Sequence, residues 1–236
     1  MKSAIVIFIS GKGTNARNII THFNSSSRYK VCCIISTRPN NELSVYSRSQ
    51  DVCFYVTKNK ADPFVDLLPK LKKHNAGLLV LAGFLKRIPQ ELIDSFKNKI
   101  INIHPALLPK YGGIAPMFQG LLNNEPSLGY SLHFIDKKVD TGDILFQESI
   151  KFSKNDSVCR LSLKSHIQAS IQLKNMVEQF LLMKSFEPIL PKEEKSYFSW
   201  PTKDQISNFV KSGYHLISLS DFFQLIFYNK EKIIEN

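Results

Sequence analysis

The stretch KIINIHPALLPKYGG, residues 99–113, opens with a β-branched run and breaks into a proline-punctuated loop. A short apolar run bounded by turn residues reads as a buried strand. Downstream, HFIDKKVDTGDILFQ, residues 133–147, sets Asp140 in an Asp- and Gly-rich turn between two apolar segments. In a parallel sheet flanked by helices, ligands gather in the crevice at the carboxyl ends of the strands. Polar residues just past a buried strand therefore carry more weight than polar residues elsewhere, and Asn102, His104 and Asp140 are the candidates.

Working outward from this stretch, β and α patterns alternate. Ser3–Ile9 reads as a first buried strand, followed by Ser10-Gly11-Lys12-Gly13-Thr14-Asn15 and a helix over about 16–23. Strand, glycine loop and helix N-terminus together make an anion site, because backbone N–H groups converge where the helix dipole is positive; a tight structural turn is the plainer reading. Strands are expected over 31–36, 53–56 and 77–82, with helices over 43–49, 62–74 (Asp62 as N-cap, Pro63 next) and 89–96. Beyond the central stretch, a helix is expected from Pro116 to about Asn123. Strands follow over 128–135 and 144–150, then a long helix over 157–183 capped by Asn155-Asp156. The expected fold is α/β: a Rossmann-like, doubly wound, mostly parallel sheet over residues 1–184. A small α+β C-terminal appendage over 185–236 would carry a helix over 203–211, a strand over 214–219 and a last helix from Asp221.

Composition narrows the function classes. Lys+Arg outnumber Asp+Glu by 31 to 20, a formal charge of +11. Such a balance suits anionic partners such as nucleotides, polyglutamylated cofactors or nucleic acid, or is simply a solvated basic surface. No RNA-binding aromatic signature or zinc finger stands out, so nucleic acid is a minority expectation. The cysteines, Cys32, Cys33, Cys53 and Cys159, lie in apolar segments without metal-ligand spacing and read as small core hydrophobes in a reducing compartment. No metal site is expected. MKSAIVIFIS reads as a first strand rather than a signal peptide, and no apolar run approaches the ~20 residues of a membrane span. The expected location is cytoplasmic.

Asn102 beside His104 places a carboxamide donor next to an imidazole, a pair able to stabilise a carbonyl turning tetrahedral. Asp140 can hold the imidazole in one tautomer or take part in proton transfer. His133 stands near as a fourth candidate, although alternation along 130–135 reads it as a strand residue. No serine or cysteine sits in a nucleophile elbow, so direct transfer between two bound substrates fits better than a covalent intermediate. After the fourth strand, Gly83-Phe84-Leu85-Lys86-Arg87-Ile88 offers backbone groups and an apolar rim to a flat heterocycle, or is an ordinary strand-to-helix turn. The first loop also mimics a dinucleotide fingerprint, but its third glycine position is Ala16, and Arg38 stands where an acidic residue would meet a ribose. An NADP-dependent oxidoreductase is the alternative this leaves open.

SGKGTN, LAGFLKRIP, NIHPALLPKYGG and VDTGDILFQ, in this order, resemble the 10-formyltetrahydrofolate-dependent formyltransferases over roughly residues 1–150. The resemblance implies N10-formyltetrahydrofolate as co-substrate. It also implies a formyl-binding Asn102, a His104 that stabilises the tetrahedral intermediate and aids proton transfer, and an orienting or relaying Asp140. The pterin would be held by Phe84, Leu85, Lys86, Arg87 and Ile88 with Val139, Gly142 and Asp143. The acceptor would be a small anionic amine.

Two relatives compete on the acceptor. Ser10, Gly11, Lys12, Gly13, Thr14 and Asn15 with LAGFL resemble glycinamide ribonucleotide formyltransferase, where such a loop grips a ribose phosphate. The pattern over 115–144 and the tail through YFSWPT look like enzymes acting on nucleotide-linked amino sugars, the class that supplies lipopolysaccharide O-antigen, and this reading is ranked first. Under it, Lys12 meets a diphosphate, and Tyr111, Phe118 or Trp200 stacks on a base. A methionyl-tRNA formyltransferase-like enzyme and a non-catalytic folate- or nucleotide-binding relative are weaker readings. Phe222, Phe223, Phe227 and Tyr228 on one face of the last helix suggest packing on the domain or a homodimer.

Overall fold

The computed structural model describes residues 3–24, 29–57, 64, 67–153, 155–183, 187–191 and 193–218. Seven strands form one sheet: β1 (Ser3–Ile9), β2 (Tyr29–Ser36), β3 (Cys53–Val56), β4 (Ala76–Leu81), β5 (Ile100–His104), β7 (Leu128–Phe134) and β8 (Ile144–Ile150). Their order is β3-β2-β1-β4-β5-β7-β8. The pairs β1/β2, β1/β4, β2/β3 and β4/β5 are parallel. Strands covered on both faces should be apolar throughout, and β1 is buried from Ala4 to Ile9. The connecting helices α1 (Thr14–Asn24), α2 (Asn41–Ser49), α3 (Leu67–Lys73) and α4 (Gln90–Ser95) carry the chain between parallel strands. Chain order runs outward from β1 through β2 to β3, then returns to β4 and β5 on the other side. The reversal puts a topological switch point between β1 and β4, where α/β proteins place their ligands.

By sequence range the chain divides into two compact units: Met1–His104, Leu132–Phe146 and Ala169–Leu190 in the first, Pro105–Ser131, Gln147–Gln168 and Pro191–Asn236 in the second. In the first unit, Val6, Phe8, Cys33, Ile35, Leu79 and Leu81 project from one sheet face onto Leu67 and Leu71 of α3 and Leu92 and Ile93 of α4. Each such side chain contributes about 1.5–3 kcal/mol when fully buried.

The second unit holds α5 (Pro116–Leu122), α7 (Lys203–Lys211) and a two-stranded parallel ribbon of β6 (Gly112–Gly113) and β9 (Tyr197–Phe198). Gly113 has φ +93, and a Cβ there would lie 2.2 Å from the Phe198 carbonyl oxygen, so this strand requires glycine. A capping box of Thr202 and Gln205 starts α7. Phe209 is fully buried between Phe118, at 4.5 Å between centroids, and Tyr214, at 5.1 Å.

Several expectations are corrected. No strand forms over 214–218; instead the His215 and Leu216 carbonyls accept the Val158 and Cys159 N–H groups at 3.0 Å. Those donors belong to the first turn of the long helix α6 (Val158–Met183), where backbone N–H groups lack intrahelical partners. The side-chain cap of α6 is Ser157, whose Oγ accepts the Arg160 N–H, rather than Asn155-Asp156. Cys53 is exposed on the edge strand β3, not a core residue. The expected N-cap Asp62 with Pro63, and the last helix with Phe222, Phe223, Phe227 and Tyr228, lie outside the described residues. Among the described residues no helix is long and apolar enough to cross a membrane.

Truncating Phe209 to alanine should cost about 3–5 kcal/mol, read as a lower denaturant midpoint for near-UV signals of the second unit.

Candidate active site

Alternation along β5 sends Ile101 and Ile103 to one face and Asn102 and His104 to the other, and β5 ends at His104. β7 contributes His133. Asp140 arrives on the turn that follows β7, and this turn is built around Asp136. The Asp136 carboxylate accepts the Lys138 N–H at 3.1 Å and the Thr141 hydroxyl at 2.7 and 2.9 Å. The Phe134 N–H donates to the Asp143 carbonyl at 2.9 Å. Gly142 allows the closure, since a Cβ there would lie 1.9 Å from the Phe134 carbonyl oxygen. Asp140 itself has φ +53, a left-handed conformation that Asp tolerates better than most residues.

These elements bring four polar side chains together within the first unit. Asp140 Oδ2 faces His104 Nδ1 at 3.5 Å, and its Oδ1 faces both His133 Nε2 and Asn102 Nδ2 at 3.5 Å. Asn102 Nδ2 is 3.1 Å from His133 Nε2. The side chains of His104, Asp140 and His133 are only 6, 8 and 1% exposed. His133 Nδ1 lies 2.8 Å from the Phe134 carbonyl oxygen, which can only accept, so Nδ1 carries the proton. His133 Nε2 then accepts from the Asn102 amide, and the carboxamide is oriented with its NH₂ toward the cluster. A donor amide, an imidazole and a buried carboxylate so arranged can stabilise negative charge growing on a carbonyl oxygen and move a proton. Asn102, His104 and Asp140 are thus brought together, and His133 joins them.

The glycine loop sits at the switch point. The Ser10 N–H donates to the Gly83 carbonyl at 3.1 Å, and its hydroxyl accepts the Leu85 N–H at 3.0 Å, tying the first loop to the loop after β4. Ser10 is buried, so it acts as this tie. Gly13 has φ +77, and a Cβ there would meet Leu43 at 2.4 Å. Gly11 and Lys12 are exposed at the entrance to α1, and the Lys12 carbonyl accepts from Asn40. Thr14 opens the helix, and Asn15 turns inward to accept from Ser170 at 3.4 Å.

On the second loop, Leu85 is 70% exposed and Val139, on the Asp140 turn, is 37% exposed. Lys86 and Arg87 are exposed beside Leu85. Phe84 and Ile88 instead pack against the core, Phe84 edge-on to Phe8 at 5.4 Å and to Phe64 at 5.9 Å. Gly142 and Asp143 serve the turn through their backbone.

In the second unit Tyr111 stacks on Phe198 at 5.3 Å and donates its hydroxyl to Glu125 at 2.8 Å. Burial and that carboxylate push its phenol up. Phe118 is buried against Phe209 and has no face to offer a base, a correction to its expected substrate role. Trp200 is 74% exposed. Among the described residues no cluster able to hold a metal occurs.

Fold and site define an α/β protein with a buried amide–imidazole–carboxylate cluster at its strand ends. Residues 3–177 match the family profile described as formyl transferase, and the chain belongs to that family. It is 32% identical over 168 residues to the chloroplastic phosphoribosylglycinamide formyltransferase of Arabidopsis thaliana, over 66% of this chain and 58% of that protein. It is 30% identical over 173 residues to the phosphoribosylglycinamide formyltransferase of Haemophilus influenzae, over 70% and 80%. A match at 30% identity to the trifunctional purine biosynthetic protein adenosine-3 of Chironomus tentans spans 72% of this chain and 13% of that one. The fold is shared with the phosphoribosylglycinamide formyltransferase of Anaplasma phagocytophilum, with TM-score 0.73 and 22% identity over 84% of this chain and 98% of that one. It is also shared with a formyltetrahydrofolate deformylase of Pseudomonas syringae, with TM-score 0.71 and 21% identity over 81% and 64%.

Replacing Gly142 with alanine should open the turn. We expect a loss of about 2 kcal/mol or more and shifted His104 and His133 imidazole resonances, with far-UV circular dichroism preserved. Imidazole ¹⁵N spectra of the unaltered protein should place the His133 proton on Nδ1.

Proposed function

We propose that this chain transfers the formyl group of N10-formyltetrahydrofolate to the primary amine of glycinamide ribonucleotide. The observation that carries the reading is the buried Asn102–His104–His133–Asp140 cluster, whose polar atoms converge at the end of β5. The co-substrate supplies an activated formyl carbon. The exposed Leu85 and Val139, on two loops flanking the carboxyl ends of the strands, suit its pterin. The exposed Gly11 and Lys12 at the α1 N-terminus suit the ribose 5′-phosphate, whose charge the helix dipole favours.

In this reading the neutral amine attacks the formyl carbon, and the carbonyl oxygen takes up negative charge. Asn102 Nδ2–H donates to that oxygen, exchanging a contact within the cluster for the substrate. The His104 imidazole, oriented through Nδ1 by Asp140, lies beside the same charge and carries the amine proton toward the departing N10. His133 holds the carboxamide in its donor orientation. Bringing both reactants together accounts for roughly 7–11 kcal/mol of the barrier, and one well-placed donor for about 2.7–4 kcal/mol.

Glycinamide ribonucleotide is preferred to a nucleotide-linked amino sugar because the relatives carry the former's name. The sugar reading rests on the pattern over 115–144 and on the tail through YFSWPT, which lies beyond the matched residues 3–177, and the Phe118 that it offers to a base is buried.

Tetrahydrofolate release should follow addition of glycinamide ribonucleotide and not of a dTDP-linked 4-amino-4,6-dideoxysugar. Asn102→Ala should lower kcat about 10²–10³-fold, and His104→Ala by orders of magnitude, both with unchanged circular dichroism. Turnover of the sugar alone would reverse the acceptor assignment. Unchanged rates in both variants would refute the catalytic roles.

A further inference from the structure

A cluster of thiols lies on the far side of the first unit's sheet order, away from β5. Ile5 of β1 pairs with Val31, but Val6 pairs with Cys33, so Cys32 is an extra residue in β2, a β-bulge. Consecutive residues of a regular strand face opposite sides of the sheet. The bulge cancels that alternation, and Cys32 packs against the same core cluster that holds Cys33. In the neutral cluster the Cys32 thiol donates to the Ile5 carbonyl at 3.3 Å.

Cys33 is also the register partner of Cys53, the first residue of the edge strand β3. Register partners on neighbouring strands lie about 4.8 Å apart, inside the Cα window of about 4.4–6.8 Å for a disulfide and just above its Cβ window of about 3.5–4.5 Å, so closure draws the edge strand β3 a few tenths of an ångström toward β2. Partners in register share a sheet face, here the face on which Cys33 sits in the core with Cys32 and Tyr55 against it. Cys33 has no exposed surface, whereas Cys53 is exposed. All are free thiols.

We propose that Cys33 and Cys53 form a peroxide-oxidisable dithiol, with Cys53 as the entry thiol, Cys33 as the resolving thiol and Cys32 as the base that receives the Cys33 proton. The Cys53 thiolate attacks one peroxide oxygen, the O–O bond breaks, Cys53 becomes a sulfenic acid, and the released hydroxide leaves as water after taking a proton. The Cys33 sulfur then attacks the Cys53 sulfur. The S–O bond breaks, and the Cys33 proton passes through Cys32 to the departing hydroxide, which leaves as a second water. Two thiols and one hydrogen peroxide thereby give one disulfide and two waters.

The local electrostatics fit these roles. The neighbouring Cys33 thiol holds the Cys32 thiol below its ordinary range, while the neighbouring Cys32 and burial push the Cys33 thiol up. Cys33 is therefore inert toward solvent oxidants and becomes nucleophilic only beside a base.

The test is made on the full chain, with hydrogen peroxide added under native conditions, then alkylation of the remaining thiols after denaturation and peptide mapping with fragmentation between Cys32 and Cys33. We expect two of the four cysteines to become unavailable to alkylation and the peptides of Cys33 and Cys53 to be linked. Cys33→Ala should leave Cys53 as a sulfenic acid trapped by a 1,3-dione probe. Cys32→Ser should slow closure about tenfold or more without changing which peptides are joined. A link involving Cys32, oxidation of Cys53 that stops short of a link in the unaltered chain, or four alkylatable thiols after peroxide would each overturn the proposal. The mapping of the unaltered chain decides it, whether or not the variants fold.

Discussion

A carboxylate removed from water is costly by several kcal/mol unless its oxygens find polar partners. The Asp140 side chain, only 8% exposed, imposes that requirement on the first unit. Its partners Asn102 and His104 come from β5, and His133 from β7 orients the Asn102 amide toward it. Each depends on a local rule. The period of two along β5 puts the amide and the imidazole on one side, and the Phe134 carbonyl fixes the His133 tautomer. Asp136 and Gly142 close the turn that carries Asp140. A slip of one residue in β5 would present Ile101 and Ile103 in place of Asn102 and His104, so the cluster and the strand register specify each other.

The same logic reaches the switch point. Two loops at the carboxyl ends of neighbouring strands β1 and β4 are held as one surface by the Ser10 backbone and hydroxyl. One loop leads into a helix N-terminus, the other carries Leu85 into solvent. One edge of this surface favours anions and the other is apolar, an arrangement that arises from connectivity rather than from any single residue. The surplus of basic over acidic residues, +11 in formal charge, favours anionic ligands over the molecule as a whole.

How much of this could be read beforehand follows from which forces are local. The parallel strands announce themselves as aliphatic runs, and β1, β3 and β8 begin and end where the pattern says. Asn102, His104 and Asp140 are legible as candidates because they stand at the ends of apolar runs, where a parallel sheet gathers its ligands. His133 is a strand residue, as its alternation implies, but alternation does not say what stands on the neighbouring strand. The burial of Phe118 is not legible because residue type does not reveal which face is covered, and the distant Phe209 does the covering. The segment after Tyr214 has strand-like composition, yet its carbonyls are recruited by unpaired donors of α6, a demand set by distant sequence. Cys53 looked like core because its neighbours are apolar, but the edge position of β3 leaves it exposed.

The family match ends at residue 177, yet the second unit is not complete there. Gly112 and Ile114 donate to the Ser196 and Phe198 carbonyls, the first turn of α6 is closed by His215 and Leu216, and one face of Phe118 is covered by Phe209. The glycine pair of β6 makes sense only with β9 beside it, because the Phe198 carbonyl occupies the space a side chain at Gly113 would need. Residues 193–218 therefore supply backbone acceptors and apolar cover to residues that lie within the matched region. An ornament added to a finished domain would leave such groups satisfied in its absence. Here they are satisfied by it, so the extension and the segment 105–131 fold as one unit, and variation in either must be matched by the other.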